Sequence, residues 1–330
     1  MDVDIENIPE LVEYLRVRGR IEPGEVPECR LLAGGVSNRT VLVARPNGEK
    51  WVLKQALEKL RVADDWFSSP DRILREAAGM AALQRITPSG SIPRLLFTDS
   101  DHYLLAMECV PEPHENWKTL LLAGHVETSH YEQFANLLAS IHRGGIAPEF
   151  REMFGDRSFF ESLRMEPYYL ASAARVPPAR VFLEQLVEET RARRITLVHG
   201  DYSPKNILIH ADRLILLDHE VIHFGDPAFD IGFSMAVLLS GAHHLKYART
   251  ALAAGAERYW KVYSGSGGLA EEGASIRHSI GCLLARVAGR SPLEYLDEEE
   301  RRRQQIAVLS VIAHPPRTMP ELIECFLERL

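Results

Sequence analysis

A chain of 330 residues, 46% hydrophobic and 25% charged, has enough apolar sequence for two ordinary cores or one large one. Its net charge of −8 excludes the basic footprint that nucleic acid or an anionic membrane surface requires, and leaves the charge of a small-molecule pocket open. Cys29, Cys109, Cys282 and Cys325 are scattered with no CxxC pair, which speaks against a disulfide framework or a thiolate metal site.

The opening segment MDVDIENIPE is acidic and lacks the apolar stretch of a signal peptide. No apolar run reaches the roughly 18 residues of a membrane span. Together with free thiols that suit a reducing compartment, this predicts a cytoplasmic protein. A helix is expected over residues 8–19, stopping at Gly19. Alternating sequence follows: Cys29–Leu32, a Gly-Gly turn, Thr40–Ala44, the turn Pro46-Asn47-Gly48, then Trp51–Lys54, which together read as a hairpin. Near Ser69 a helix begins, with Ser69 as cap, Pro70 in the first helical position and Asp71 at the positive end. Two short strands are expected near Arg94–Thr98 and Tyr103–Glu108.

Pro111 and Pro113 mark a linker, and the sequence beyond is mainly helical. Ser129 and Glu132 have capping-box spacing ahead of a helix whose Tyr131, Phe134, Leu138 and Ile141 share a face. Another helix is expected over 181–192. Ile207–Ile209 and Leu214–Leu217 read as two strands around a His-Ala-Asp-Arg turn. Helices are predicted near 228–240, 245–263, 274–288, 298–312 and 319–329.

The strongest chemical signal is His199-Gly200-Asp201-Tyr202-Ser203-Pro204-Lys205-Asn206, with Asp218 beyond the following hairpin. An Asp, an Asn five residues on and a second Asp after two strands suit phosphoryl transfer. The first accepts a hydroxyl proton, and the other two hold Mg²⁺ on a triphosphate. Upstream, Gly34, Gly35, Ser37 and Asn38 lie between two strands and offer donors to phosphate. Lys54 ends a strand, well placed for the α- and β-phosphates, and Glu76 on the next helix can pair with it. Lys205 is read either as a stabiliser of the moving phosphoryl group or as a solvated loop lysine.

This loop resembles that of the aminoglycoside phosphotransferase and choline kinase superfamily, relatives of protein kinases, matching at His199, Gly200, Asp201 and Asn206. Protein kinases carry Arg where Gly200 stands. Asp218 matches the family's metal-binding Asp, and Glu220 gives an Asp-x-Glu variant, as a further metal ligand or a structural acceptor. The resemblance also implies that Asp230, in Gly225-Asp226-Pro227-Ala228-Phe229-Asp230, opens a helix and braces the loop. It implies a bilobal α+β, protein-kinase-like fold. Residues 1–110 would form a small antiparallel nucleotide-binding lobe with one key helix, and 111–330 a larger, mainly helical catalytic and substrate-binding lobe. ATP would be the phosphoryl donor and Mg²⁺ the metal. Adenine would meet the backbone of Glu108 and Val110, with Met107 behind.

The upstream lobe is also similar to 5-methylthioribose kinases, at Lys54-Gln55-Ala56-Leu57, Arg61-Val62, Trp66, Arg72, Glu76 and the segment His114–Lys118. The loop Tyr202–Asn206 departs from that family, whose loop contains His. The expected substrate is therefore a hydroxyl of a sugar, amino alcohol or similar metabolite, with a methylthioribose-like sugar favoured. The alternatives are a nucleotide-binding pseudokinase module and an antibiotic phosphotransferase. Arg286 and Arg290, four apart at a helix end, either complement the helix dipole or bind an anionic or polyhydroxyl substrate.

Overall fold

The structure is a computed structural model that describes residues 3–32, 35–61 and 66–330. After helix α1 (Ile8–Val17) come strands β1 (Glu28–Leu31), β2 (Asn38–Ala44) and β3 (Lys50–Ala56), helix α2 (Arg72–Ile86), and strands β4 (Leu95–Asp99) and β5 (Leu104–Glu108). The five strands form one antiparallel sheet in the order β1-β2-β3-β5-β4.

Strand alternation divides this sheet into two faces. Val41, Val43, Trp51, Leu53, Leu104 and Ala106 turn to one side and pack with Leu11, Tyr14 and Leu15 of α1. Ala56, Leu105 and Met107 turn to the other, into a core shared with Ile73, Met80 and Leu83 of α2 and with the helical part of the chain. Lys54 stands opposite Leu105 in the β3–β5 register. The same period-2 pattern therefore aims it at α2 and away from α1.

Beyond β5 lie β6 (His114–Asn116), α3 (Trp117–Leu122), α4 (Thr128–Gly144), α5 (Pro148–Met153) and α6 (Ser158–Phe160). The last continues through a π-helical stretch, Glu161–Leu170, into α7 (Ala171–Arg175). Then come α8 (Arg180–Ala192), β7 (Thr196–Val198), β8 (Ile207–His210), β9 (Arg213–Leu216) and β10 (His223–Gly225). The chain closes with α9 (Ala228–His244), α10 (Arg249–Gly265), α11 (Glu272–Ala288), α12 (Glu298–Ala313) and α13 (Met319–Glu328). Strand β8 pairs with both β6 and β9, and β7 pairs with β10. Among the described residues no helix is long and apolar enough to cross a membrane.

Two helix starts differ from expectation. Helix α2 begins at Arg72 rather than near Ser69, because the Arg72 guanidinium takes the carbonyls of Ser68 and Ser69 at 3.0 and 3.1 Å and holds that turn apart from the helix. Ser129 caps nothing: α4 already starts at Thr128, with Glu127 at the N-cap and no side-chain cap bond. A true capping box lies instead at α12, where Asp297 and Glu300 each accept the other's backbone N–H, at 2.7 and 3.0 Å.

Candidate active site

The loop 199–206 leaves β7 and is pinned from below. Asp230, in the first turn of α9, accepts the N–H of His199 and of Gly200, each at 2.8 Å. Burial alone would raise its carboxyl, but His142 and these amides hold it below its ordinary value. Gly200 has φ +79°, and a Cβ there would lie 2.9 Å from the Val221 carbonyl oxygen. Glycine is thus required twice, for the left-handed backbone and for the close approach. Tyr202 is fully buried, stacked on Phe134 at 4.2 Å and donating to its carbonyl at 2.7 Å.

With the loop fixed, the Asp201 carboxylate is held on both sides. Asn206 Nδ2 donates to Asp201 Oδ2 at 2.8 Å and to its carbonyl at 2.9 Å. Arg164, from the π-helical stretch, ion-pairs with Asp201 Oδ1 at 2.9 Å and donates from Nε to the Gly200 carbonyl at 2.8 Å. No sequence signal marked Arg164. It lies where a π-turn and Pro167 erase helical periodicity. Because Nδ2 of Asn206 is taken, its Oδ1 is left as a free acceptor, with no donor to it among the described residues.

Across the cleft, Lys54 Nζ lies 2.6 Å from Glu76 Oε1 and 3.4 Å from Asp218 Oδ1. Asp218 has φ +67°, a left-handed conformation that Asp tolerates better than bulkier residues. Burial disfavours the Lys54 ammonium, yet Asp218 and Glu76, with Glu220 behind them, hold it well above its usual value. The same ammonium, with Lys205, outweighs burial at Asp218 and holds that carboxyl well below its usual range. Glu76 is pushed up to about 7, because burial and the neighbouring Asp218 and Glu220 oppose the pull of Lys54. Helix α2 rides close on this segment: a Cβ on Gly79 would meet Ile222 Cγ2 at 2.9 Å and His219 Cβ at 3.1 Å. Any shift of the helix therefore moves Glu76 against Asp218.

Glu220 is braced rather than open on one side. Its Oε2 receives Arg72 Nε at 3.1 Å and Asn38 Nδ2 at 3.5 Å. Arg72 also binds the carbonyls of Ser37 and, at 2.7 Å, Leu57. Gly34 lies outside the described residues. Gly35 stands at the mouth of the turn, while Ser37 and Asn38 are buried. Asn38 departs from the reading of a free phosphate donor: its amide is directed to Ser37 Oγ at 3.1 Å and to Glu220. Lys205 is exposed, and its carbonyl accepts Asn116 Nδ2 at 2.7 Å. At the far end of β5, Met107 is buried and the Glu108 N–H is taken by the Arg94 carbonyl at 2.9 Å. No bond among the described residues reaches the Val110 N–H.

The chain matches a family model described as the phosphotransferase enzyme family over residues 28–272. It belongs to this family. Its α+β fold is protein-kinase-like. Methylthioribose kinase 2 of Oryza sativa subsp. japonica is 23% identical over 253 residues, covering 68% of this chain and 58% of that one. Methylthioribose kinase 1 of the same plant is 24% identical over 217 residues, covering 57% and 50%. The chain thus spans little more than half the length of these curated relatives. Among solved structures, amicoumacin kinase hAmiN bound to AMP-PNP, Ca²⁺ and Ami superposes with a TM-score of 0.61 at 13% identity, covering 94% of this chain and 96% of that one. A choline/ethanolamine kinase family protein from Mesorhizobium loti gives 0.53 at 15% identity, covering 96% and 99%. ADP-bound aminoglycoside phosphotransferase APH(2'')-Ib gives 0.51 at 15% identity, covering 95% and 98%.

Behind the loop 199–206 sits a row of buried histidines. His199 Nε2 lies 3.1 Å from His219 Nδ1, and His223 stacks on Phe160 at 3.9 Å. Burial holds His199 below its ordinary value, His219 well below it, and His223 down at about 4 from an ordinary 6.5. Above 6.5 both folded and unfolded chains leave His223 neutral. Below 6.5 the unfolded chain takes a proton that the folded one refuses until about 4, so stability falls as pH falls through that window. His223 alone is expected to remove roughly 3 kcal/mol across it. Urea unfolding between pH 7 and pH 4.5 should show this decline, and His223→Gln should flatten it. An equally steep decline in that variant would remove His223 from the account.

Proposed function

We propose that this enzyme transfers the γ-phosphoryl of ATP to a hydroxyl of a sugar, amino alcohol or similar metabolite, in a cleft between a nucleotide lobe (1–110) and a catalytic lobe (111–330). The single observation that carries this reading is the convergence of two clamps: Lys54 held between Glu76 and Asp218, and Asp201 held between Asn206 and Arg164. The bound molecules named for the structural neighbours, AMP-PNP with Ca²⁺ and ADP, support a nucleotide and a divalent metal in the same cleft.

In this reading Asp201 takes the proton of the acceptor hydroxyl. The hydroxyl oxygen then bonds to the γ-phosphorus as that atom's bond to the β-phosphate oxygen breaks, and ADP leaves with the electron pair. Arg164 and Asn206 each hold one carboxylate oxygen of Asp201, so its orientation is preset before substrate arrives. Lys54 meets the phosphates, oriented by Glu76. Gly35 and Ser37 cover them, while Asn38 is tied to Glu220. Lys205, exposed beside Asp218, faces the transferred group. Met107, Glu108 and Val110 border the adenine, with the Val110 N–H as the open donor.

The residues present fit Mg²⁺. Asn206 Oδ1 accepts no donor among the described residues, Asp218 meets Lys54 only through Oδ1 at 3.4 Å, and Glu220 adds a third oxygen source anchored by Arg72, so all three offer hard oxygen to a cation. Mg²⁺ takes one or two protein carboxylates and completes its shell with substrate phosphates and water. Bound there, Mg²⁺ supplies charge neutralisation on the triphosphate.

The test is Mg²⁺-ATP consumption against a panel of alcohols that includes methylthioribose, other pentoses, choline, ethanolamine, homoserine and aminoglycosides. Stimulation of the wild type and not of Asp201→Asn supports the assignment. Nucleotide binding without turnover on any acceptor would favour a pseudokinase. Arg164→Gln is expected to lower kcat by about 10²-fold through misplacement of Asp201, with KM for ATP nearly unchanged. Steady-state kinetics check this, and an unchanged kcat would leave Arg164 a packing residue.

A further inference from the structure

Four arginines of the described chain are buried to nine-tenths or beyond, and three are fully engaged. Arg72 binds Glu220 and four backbone carbonyls. Arg157 binds the carbonyls of Thr190 and Arg191 at 3.0 and 2.8 Å. Arg164 binds Asp201. Arg286, near the end of α11 and only 8% exposed, differs. No carboxylate among the described residues reaches ion-pair distance of it. Its Nη1 makes one long bond, 3.3 Å, to the Ser291 carbonyl, and its Nε is buried without a partner. Glu294 feels the Arg286 charge at longer range, but its carboxylate is bound by Lys118.

The position of this guanidinium matters as much as its isolation. Its Cζ lies 5.0 Å from the Tyr168 ring centroid and 4.7 Å from that of Phe233. The Arg164 Cζ lies 5.8 and 5.5 Å from the same two rings. This arginine without an ion-pair partner is therefore one aromatic pair away from the arginine that holds Asp201. Arg290, its neighbour in sequence, is partly exposed and paired with Glu166 at 3.1 Å, so the structure separates two residues that sequence left equivalent.

Resting on the kinase reading above, we infer that the acceptor carries an anionic group, a carboxylate or phosphate, that Arg286 receives while the acceptor's hydroxyl reaches Asp201. A buried charge without a counter-ion is costly, and an anion arriving at this site offsets that cost. The planar guanidinium presents a fork of donors that matches a carboxylate or a phosphate equally. The acceptor is thus set apart from neutral methylthioribose: it is a hydroxy acid or a sugar phosphate.

The test compares neutral acceptors with anionic counterparts of the same carbon skeleton. Mg²⁺-ATP turnover is measured with glycerol against glycerate, and with ribose against both ribonate and ribose 5-phosphate. A carboxylate and a phosphate are thereby read in separate arms. In parallel, thermal melting with inorganic phosphate or glycerate, without nucleotide, reads anion binding directly. The expected result is preference for an anionic member of a pair. Arg286→Gln should raise its KM by about 10- to 100-fold and abolish the anion-dependent rise in Tm, with ATP binding intact. Arg290→Gln should leave both unchanged. If Arg286→Gln does not fold, Arg286→Lys and the wild-type pairs still decide. Equal use of neutral and anionic acceptors, or no anion-dependent rise in wild-type Tm, overturns the inference while leaving the kinase assignment standing. Absence of turnover with every alcohol strikes that assignment instead, and the melting arm then judges Arg286 alone.

Discussion

Asp201→Asn should lower turnover by about 10²–10⁴-fold, the range for loss of a general base, with nucleotide affinity close to wild type. The substitution is nearly isosteric, yet the geometry makes it more damaging than shape suggests. One oxygen of Asp201 accepts from Arg164 at 2.9 Å and the other from Asn206 at 2.8 Å. Both neighbours are donors, and an asparagine offers only one acceptor. Whichever way its amide turns, an NH₂ group faces a donor, and either Arg164 or Asn206 is displaced. The variant thus loses the proton acceptor and unsettles the Asn206 amide at once. Single-turnover kinetics with saturating ATP would separate the chemical step from binding. Turnover within threefold of wild type would remove Asp201 from the role of base.

How much of this site was readable depended on whether local periodicity carried each residue. Lys54 could be placed because strand alternation fixes its face, and the register opposite Leu105 turns it toward Glu76. Asp201, Asn206 and Asp218 could be grouped because the β8–β9 hairpin returns the chain to its starting point. The N–H of Leu217 closes on the Asn206 carbonyl at 2.9 Å. The bracing by Asp230 was expected from the resemblance, and its two 2.8 Å bonds show how it acts.

The residues that escaped notice are those whose partners are distant and whose own segment lacks a pattern. Arg164 sits on a π-turn and meets Asp201 from 37 positions away. Asn38 opens β2 just after a Gly-Gly sequence, where a phosphate donor is the obvious reading, and only the fold brings Glu220 within 3.5 Å of it. Arg286 and Arg290 share one helix end and one spacing. Burial among Tyr168 and Phe233, against pairing with Glu166, is a tertiary distinction that no local signal encodes.

Asp218→Asn is expected to cost about 10²–10³-fold in kcat at a fixed Mg²⁺ concentration, the scale for removing one preorganised electrostatic group, and to raise the Mg²⁺ requirement steeply. The electrostatics explain why a neutral amide cannot substitute. Asp218 is the one carboxyl of the three around Lys54 whose ionised form the site favours. Glu76 and Glu220 are both pushed upward, by burial first. The carboxylate whose charge the site itself stabilises, and offers to a cation, is therefore Asp218. With asparagine there, the Lys54 ammonium keeps only Glu76 at close range, and the cation site keeps two neutral amide oxygens and a carboxylate already tied to Arg72. A Mg²⁺ titration at saturating ATP checks the expectation, with KM for the acceptor as internal control. A curve that superposes on wild type would reject Asp218 as a ligand. A shifted curve that recovers full turnover at high Mg²⁺ would keep it as a ligand but assign its whole effect to metal affinity rather than to the transition state.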